Sequence, residues 1–255
     1  MQRYFIDGTL EVGKIVTIIG ESVHQLTKVM RSTIGDCIKL SSENNQSAFG
    51  EIIEILKHEI RVKVVEIIEE KVELPVNVTI AQGLIKGDKF DWVIQKATEC
   101  GANFFIPVRM KRSVVKIEDK KTASKVQRWQ KISFEAARQS HRQVVPKVSE
   151  VIDFSELIKI KDSFDLCLFA YENYEKNSVH SLATHIRNMK RDNKILVVIG
   201  PEGGIDDKEV KLLVDAGFDS IGLGPRILRT ETAPIYFLSA ISYELEIRSP
   251  DLRFN

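Results

Sequence analysis

Over the first 72 positions, apolar residues fall in short runs, partly at every second place. Val12–Gly20, Ile38–Leu40, Phe49–Leu56 and Ile60–Ile68 are rich in Ile and Val and predict strands. A polar stretch, Ser41–Ser47, predicts a hairpin loop, and one short helix is expected over about Ser22–Arg31. Together these elements predict a small β-barrel over residues 1–72. Near Lys71–Pro75 the pattern changes. Val76–Ala81 predicts a strand, and Asp88 is placed to cap a helix whose apolar positions Phe90, Val93, Ile94 and Ala97 follow the 3.6-residue period, with Gly101 closing it. Strands and helices then alternate: strands at Phe104–Val108, Asp165–Ala170, Ile195–Ile199 and Ser220–Leu223, helices at 121–142, 178–190, 206–216 and Ala233–Ile247. That alternation predicts an α/β domain over 73–255 with a mostly parallel sheet.

Composition is that of a globular chain. Of 255 residues, 43% are hydrophobic and 29% charged, enough for sizeable cores. No run reaches the roughly 18 apolar residues that span a bilayer, and no signal peptide is expected. Cys37, Cys100 and Cys167 are scattered with neither zinc nor disulfide spacing, and the five histidines do not follow metal-ligand spacing, so free thiols, no metal and a cytoplasmic setting are expected.

The net charge of +1 is unevenly spread. Residues 1–72 carry 9 Lys and Arg against 11 Asp and Glu, residues 73–150 carry 15 against 8, and residues 151–255 carry 13 against 17. On a helical wheel over 121–142, Val126, Trp129, Ser133, Ala136 and Ala137 share one side, while Lys125, Arg128, Lys131, Arg138 and Arg142 cluster on another. Arg109, Lys111, Arg112 and Lys116 follow a strand end. A wet helical face explains this pattern; so does phosphate contact, and the arginines at 138 and 142 favour RNA or another phosphorylated ligand.

The densest chemistry lies in two turns. Ile195–Ile199 runs into Gly200-Pro-Glu-Gly-Gly204, and Ser220–Leu223 runs into Gly224-Pro-Arg-Ile-Leu-Arg229. Two strands separated by one helix should bring both turns to the same sheet edge, where open α/β folds bind ligands. Neither turn fits the dinucleotide or the P-loop pattern, and Glu202 would repel a pyrophosphate. A ligand offering a hydroxyl, an amine or a sulfonium suits the loop better. Thr230 or Thr232 is placed to cap the last helix, and Pro234 suits its first turn.

Leu196–Gly204, Leu223–Ala233, Lys86–Glu99 and Arg128–Lys131 strongly resemble the RsmE family of SPOUT-superfamily methyltransferases, which modify N3 of one uridine in 16S ribosomal RNA. Arg3-Tyr-Phe5 and His24–Arg31 resemble it less specifically, so the likeness covers essentially the whole chain. Cys100 stands where Leu is usual, and His141 interrupts the segment Gln139–Arg142. The resemblance implies a PUA-like N-terminal barrel, a SPOUT domain with a deep trefoil knot, S-adenosylmethionine as cofactor and a homodimer. It also implies a cofactor held by three loops, here Phe169, Ala170 and Glu172; Ile199, Gly200, Pro201, Glu202 and Gly203; and Leu223, Gly224, Leu228 and Thr230.

Uracil N3 is weakly acidic, so its methylation develops charge on the ring. Arg226 or Arg229 is expected to stabilise that charge on a carbonyl oxygen, with Glu202 accepting the proton or aligning the donor. Arg3, Arg31, Arg109, Arg112, Arg138 and Arg142 are the expected RNA contacts, the partner being 16S rRNA or the small ribosomal subunit. Two rival readings are a SPOUT enzyme acting on another RNA and a non-catalytic RNA-binding module.

Overall fold

A computed structural model describes residues 3–42, 44–115, 118–171 and 178–248. Two units form: residues up to Glu73 with Ala137–Val145, and Leu74–Ala136 with the chain from Pro146 onward. The division at 73/74 lies within the stretch where the apolar pattern changes, but the second expected domain also lends nine residues, Ala137–Val145, to the first unit.

In the first unit, β1 (Arg3–Ile6), β2 (Ile15–Ile19), α1 (Glu21–His24), β3 (Cys37–Ser42), β4 (Ser47–Ile55) and β5 (Glu59–Ile68) follow one another. The sheet order is β1-β3-β4-β5-β2, with β1 and β3 parallel and the other pairs antiparallel. Alternation in β2 and β5 follows from one buried face: Val16, Ile18, Ile60, Val62 and Val64 join a core with Leu40, Ala48 and Ile52. The expected barrel is thus seen as a five-stranded half-barrel, with β1 and β2 at the two ends of the hydrogen-bonded order. The short helix is also shorter than its pattern suggested, since after α1 the backbone runs on as a π-helical turn, Gln25–Val29.

The second unit contains β6 (Asn77–Gly83), α2 (Lys89–Glu99), β7 (Phe104–Arg109), α3 (Asp119–Gln139), β8 (Lys147–Val148), β9 (Ile152–Asp153), α4 (Phe154–Lys159), β10 (Leu166–Ala170), α5 (Ser178–Asn188), β11 (Lys194–Ile199), α6 (Asp207–Asp215), β12 (Asp219–Ile221) and α7 (Ala233–Ser242). All ladders are parallel, in the order β12-β10-β11-β6-β7-β8, with β9 beside β7. Both faces of β11 are covered, which explains its unbroken apolar run: Ile195, Val197 and Ile199 face one core, Leu196 and Val198 the other.

α2 packs on α3 through Phe90 and Trp129, whose ring centroids lie 4.2 Å apart, and the Trp129 indole N–H donates to Asp91 at 3.0 Å. Asp88 does not cap α2 with its side chain. Its carboxylate instead faces Arg128 at 3.5 Å, and its carbonyl accepts from the Trp92 amide. The last helix is expected to run to Ile247; α7 gives way at Tyr243 to a π-helical turn, Tyr243–Ile247. Among the described residues, no helix is long and apolar enough to cross a membrane.

Candidate functional site

The carboxyl ends of β6, β10, β11 and β12 lie side by side: Ala170 pairs with Ile221, and Gln82 with Ile199. Beyond each end the chain must leave the sheet, and the exits of β10, β11 and β12, with Lys89 at the start of α2 and Arg112, line a cavity of about 910 Å³. This is the edge at which open parallel sheets place ligands. Ile199, Ile221, Leu223 and Leu228 supply apolar wall, and Glu202, Arg226, Arg229 and Glu231 supply charge.

The first loop is a tight turn in which the Gly204 amide donates to the Pro201 carbonyl at 2.9 Å. Gly200 has no room for a side chain, since a Cβ there would lie 2.9 Å from Ile205 Cγ1 and 3.0 Å from the Gly204 carbonyl carbon. The turn delivers the chain to Asp206, which caps α6 in a reciprocal box with Glu209. Lys111 completes that corner: its amide donates to Glu209 at 2.8 Å and its ammonium reaches Asp206 at 2.9 Å. The positive helix end is therefore already met by a carboxylate of the chain, which agrees with the misfit to phosphate-binding patterns.

The second loop leaves β12 and reaches α7 through a turn closed by the Thr232 and Ala233 amides on the Arg229 carbonyl. Thr232 occupies the cap position without a side-chain hydrogen bond, and Pro234 sits in the first turn. Thr230 caps nothing; its hydroxyl donates to the Gly200 carbonyl at 2.5 Å and so joins the two loops.

Most residues expected at a cofactor site line the cavity: Ala170, Ile199, Gly200, Pro201, Glu202, Gly203, Leu223, Gly224, Leu228 and Thr230. Phe169 does not. Successive residues of a strand face opposite ways, and its ring is buried in the core on the other side of the sheet with Ile106, Val108 and Ile205. Glu172 and Lys116 lie outside the described residues. Arg226 and Arg229 are exposed on the cavity wall, and among the described residues neither guanidinium is tied to a carboxylate.

Three residues at or beside the cavity were assigned no role from the sequence: Gln82, Lys89 and Glu231, the last two although they lie inside the motifs Lys86–Glu99 and Leu223–Ala233. The Lys89 ammonium stands 3.7 Å from Glu202 and 3.4 Å from Glu231, so it bridges an acid of each loop. Glu202 also accepts from the Lys86 amide at 3.0 Å. Only folding brings these positions together, because Lys86 and Glu202 are 116 residues apart.

The expected RNA contacts divide. Arg3 is wholly buried; it donates to Ser41 Oγ at 2.8 Å and Ser47 Oγ at 3.2 Å and pairs with Glu70. Burial alone would raise the Glu70 carboxyl, but its bonds to Lys39 and Arg3 prevail and hold it below its ordinary value. Arg142 is 3% exposed and pairs with Glu73, which also accepts from the Gln143 amide at 2.8 Å. Both arginines thus serve the interior of the first unit, a correction to their expected place on an RNA-facing surface. Arg138 is half-buried near Tyr4. Arg109 is half-buried, 3.5 Å from Asp153, and Arg112 lies on the cavity wall within 3.5 Å of Asp206. Arg31 is exposed.

An RNA methyltransferase domain matches residues 72–242. The chain is 44% identical to ribosomal RNA small subunit methyltransferase E of Bacillus subtilis (strain 168), over 98% of this chain and 100% of that one. It belongs to the RsmE family. The corresponding protein of Synechocystis is 32% identical over 91% of this chain and 74% of its own length. Among solved structures, ribosomal RNA small subunit methyltransferase E from Neisseria gonorrhoeae, bound to S-adenosyl methionine, superposes with a TM-score of 0.83 at 28% identity, covering 96% of this chain and 98% of that one. A protein from Legionella pneumophila in complex with the same cofactor superposes with a TM-score of 0.80 at 26% identity, covering 95% of this chain and 97% of that one.

Proposed function

We propose that this RsmE protein transfers a methyl group from S-adenosylmethionine to N3 of a specific uridine in 16S ribosomal RNA of the small subunit. The observation that carries the reading is the cavity at the sheet edge, where apolar walls, tight glycine turns and two exposed arginines meet. Its residues fit the cofactor. The volume suits a nucleoside-sized ligand, Ile199, Leu223 and Leu228 suit an adenine ring, and Glu202 and Glu231 suit a cationic donor. When bound, S-adenosylmethionine supplies a methyl carbon made electrophilic by the adjoining sulfonium.

The chain's own residues do the rest. Arg226 and Arg229 line the cavity, among the described residues neither is paired with a carboxylate, and both are assigned to the charge that develops on a uracil carbonyl as N3 loses its proton. Glu202 is assigned to alignment rather than proton removal, because the Lys86 amide and the nearby Lys89 ammonium already engage its carboxylate. Of the expected RNA contacts, Arg31, Arg109, Arg112 and Arg138 stay in the reading beside Lys121, Lys125 and Arg128 of α3.

Family membership supports a trefoil knot in the second unit, a PUA-like role for the half-barrel and a homodimer. The exposed Tyr236, Tyr243 and Ile247 near the chain's last helix also support self-association. Scattered free thiols fit a cytoplasmic setting.

The test is direct. Ribosomal RNA from a strain lacking the protein, incubated with it and S-adenosylmethionine, should gain one methyl on one 16S uridine by mass spectrometry. Methylation of transfer RNA alone, or no methylation with intact RNA binding, would overturn the reading.

A further inference from the structure

β6 breaks its own pattern at the point where it reaches the site. Val78 and Ile80 point into the core at every second position, and the next place on that face is Gln82, which is wholly buried. A buried amide in a core position costs free energy unless it is hydrogen-bonded. Its Nε2 donates to Thr230 Oγ1 at 2.9 Å and lies 3.3 Å from the carbonyls of Gly200 and Gly83. Thr230 in turn gives its own proton to the Gly200 carbonyl. All three neighbours therefore present acceptors to Gln82, so only the NH2 end of the side chain can face them. Gly83, the next residue, lets the first loop close in: a Cβ there would lie 2.7 Å from Pro201 Cδ and 2.8 Å from Pro201 N.

Gln82 thus touches both loops at once, Gly200 in the first and Thr230 in the second, although 148 residues separate it from Thr230. We infer that Gln82 is a positioning residue for the cofactor cavity: its NH2 group sets the spacing of the two glycine loops before any ligand arrives. The inference rests on the cofactor reading above for what the cavity holds, but the tie itself exists in the ligand-free chain. A site whose walls are already spaced loses less ordering entropy on binding.

Gln82→Glu and Gln82→Leu test this. A protonated glutamic acid keeps one O–H donor for the cluster, whereas an ionised one turns acceptors toward acceptors. Affinity of the Glu variant for S-adenosylmethionine, by calorimetry, should therefore fall as pH rises from about 6 to 8.5 relative to the natural protein. The Leu variant should bind on the order of tenfold more weakly at every pH. Thr230→Val combined with Gln82→Leu should cost less than the two single effects together. Hydrogen exchange of the ligand-free protein provides a readout without cofactor: amides of 200–204 and 230–233 should exchange faster in the Leu variant.

Folded Gln82 variants with unchanged exchange and unchanged affinity at both ends of the pH range would overturn the positioning role. A natural protein that binds no S-adenosylmethionine, with loop exchange still dependent on Gln82, would overturn the cofactor reading while supporting the tie.

Discussion

Lys89 decides how the charges of the cavity are divided. By standing between Glu202 and Glu231 it offsets two acids of the cavity wall, and Arg226 and Arg229 are left facing the cavity, among the described residues without a carboxylate partner. A guanidinium without a carboxylate partner is available to an oxygen that gains charge only in the transition state, and there it accelerates the reaction. Arg229→Ala is therefore expected to lower kcat by about 10²–10³-fold, the range found for loss of one such donor, with S-adenosylmethionine affinity nearly unchanged. Single-turnover methylation beside calorimetry checks both halves; a variant with full kcat removes Arg229 from the chemistry. Glu202 and the arginines were legible in the sequence because they sit inside glycine turns that a plain structural role would not need. The roles of Lys89, Glu231 and Gln82 were not legible, since what marks them is proximity across the fold: Lys89 and Glu231 lie inside quoted motifs that do not say what they meet, and a lone glutamine carries no local pattern.

At the scale of elements, the helix over 206–216 was expected without its reciprocal cap, and α4, which opens with the same kind of box at Asp153 and Glu156, was not expected at all. Asp206 and Glu209 have the three-residue spacing of a capping box, and α6 begins there. Asp88 has an acid's preference for the same position, but Arg128 draws its carboxylate away from the helix end. The π-helical turns after α1 and α7 were invisible, because a shift of one residue in hydrogen bonding leaves no Gly or Pro behind it. The α6 corner yields a pH prediction. The hydrogen bond from Lys111 chiefly holds the Asp206 carboxyl below its ordinary value, helped by the Lys208 amide and the Lys111 and Arg112 charges against the opposing effect of burial. A group lowered on folding stabilises the native state fully above its unfolded value, near pH 4, and ceases to do so as pH falls through its folded value. Asp206→Asn should thus melt below the natural protein at neutral pH, and the gap should shrink steadily below about pH 4. A gap independent of pH, in melts across that range, would show that the carboxylate's charge contributes nothing.

At the scale of the whole molecule, a net charge of +1 conceals a central segment with 15 basic residues against 8 acidic ones. Sequence reading placed Arg142 and Lys125 on one basic face, because a helical wheel treats 121–142 as a continuous helix. α3 ends at Gln139, and His141 follows with a positive φ of 57°, so the chain has already turned by Arg142. That turn sends Arg142 inward to Glu73 and leaves Lys125 in water. The two residues should then fail differently. Removing one partner of a buried ion pair strands the other, which costs about 3–5 kcal/mol, so Arg142→Ala should lower stability steeply. In whatever fraction stays folded, RNA affinity should keep its natural salt dependence. Lys125→Ala should leave the melting temperature almost unchanged. If the exposed lysine meets a phosphate, each lost contact removes about 0.7–0.9 from the slope of log affinity against log salt. Filter binding to 16S RNA between about 50 and 200 mM salt, beside thermal melts of both variants, separates the two roles. An unchanged slope for Lys125→Ala would place the RNA elsewhere than on α3, and a reduced slope with undiminished stability for Arg142→Ala would return that arginine to the RNA-facing surface.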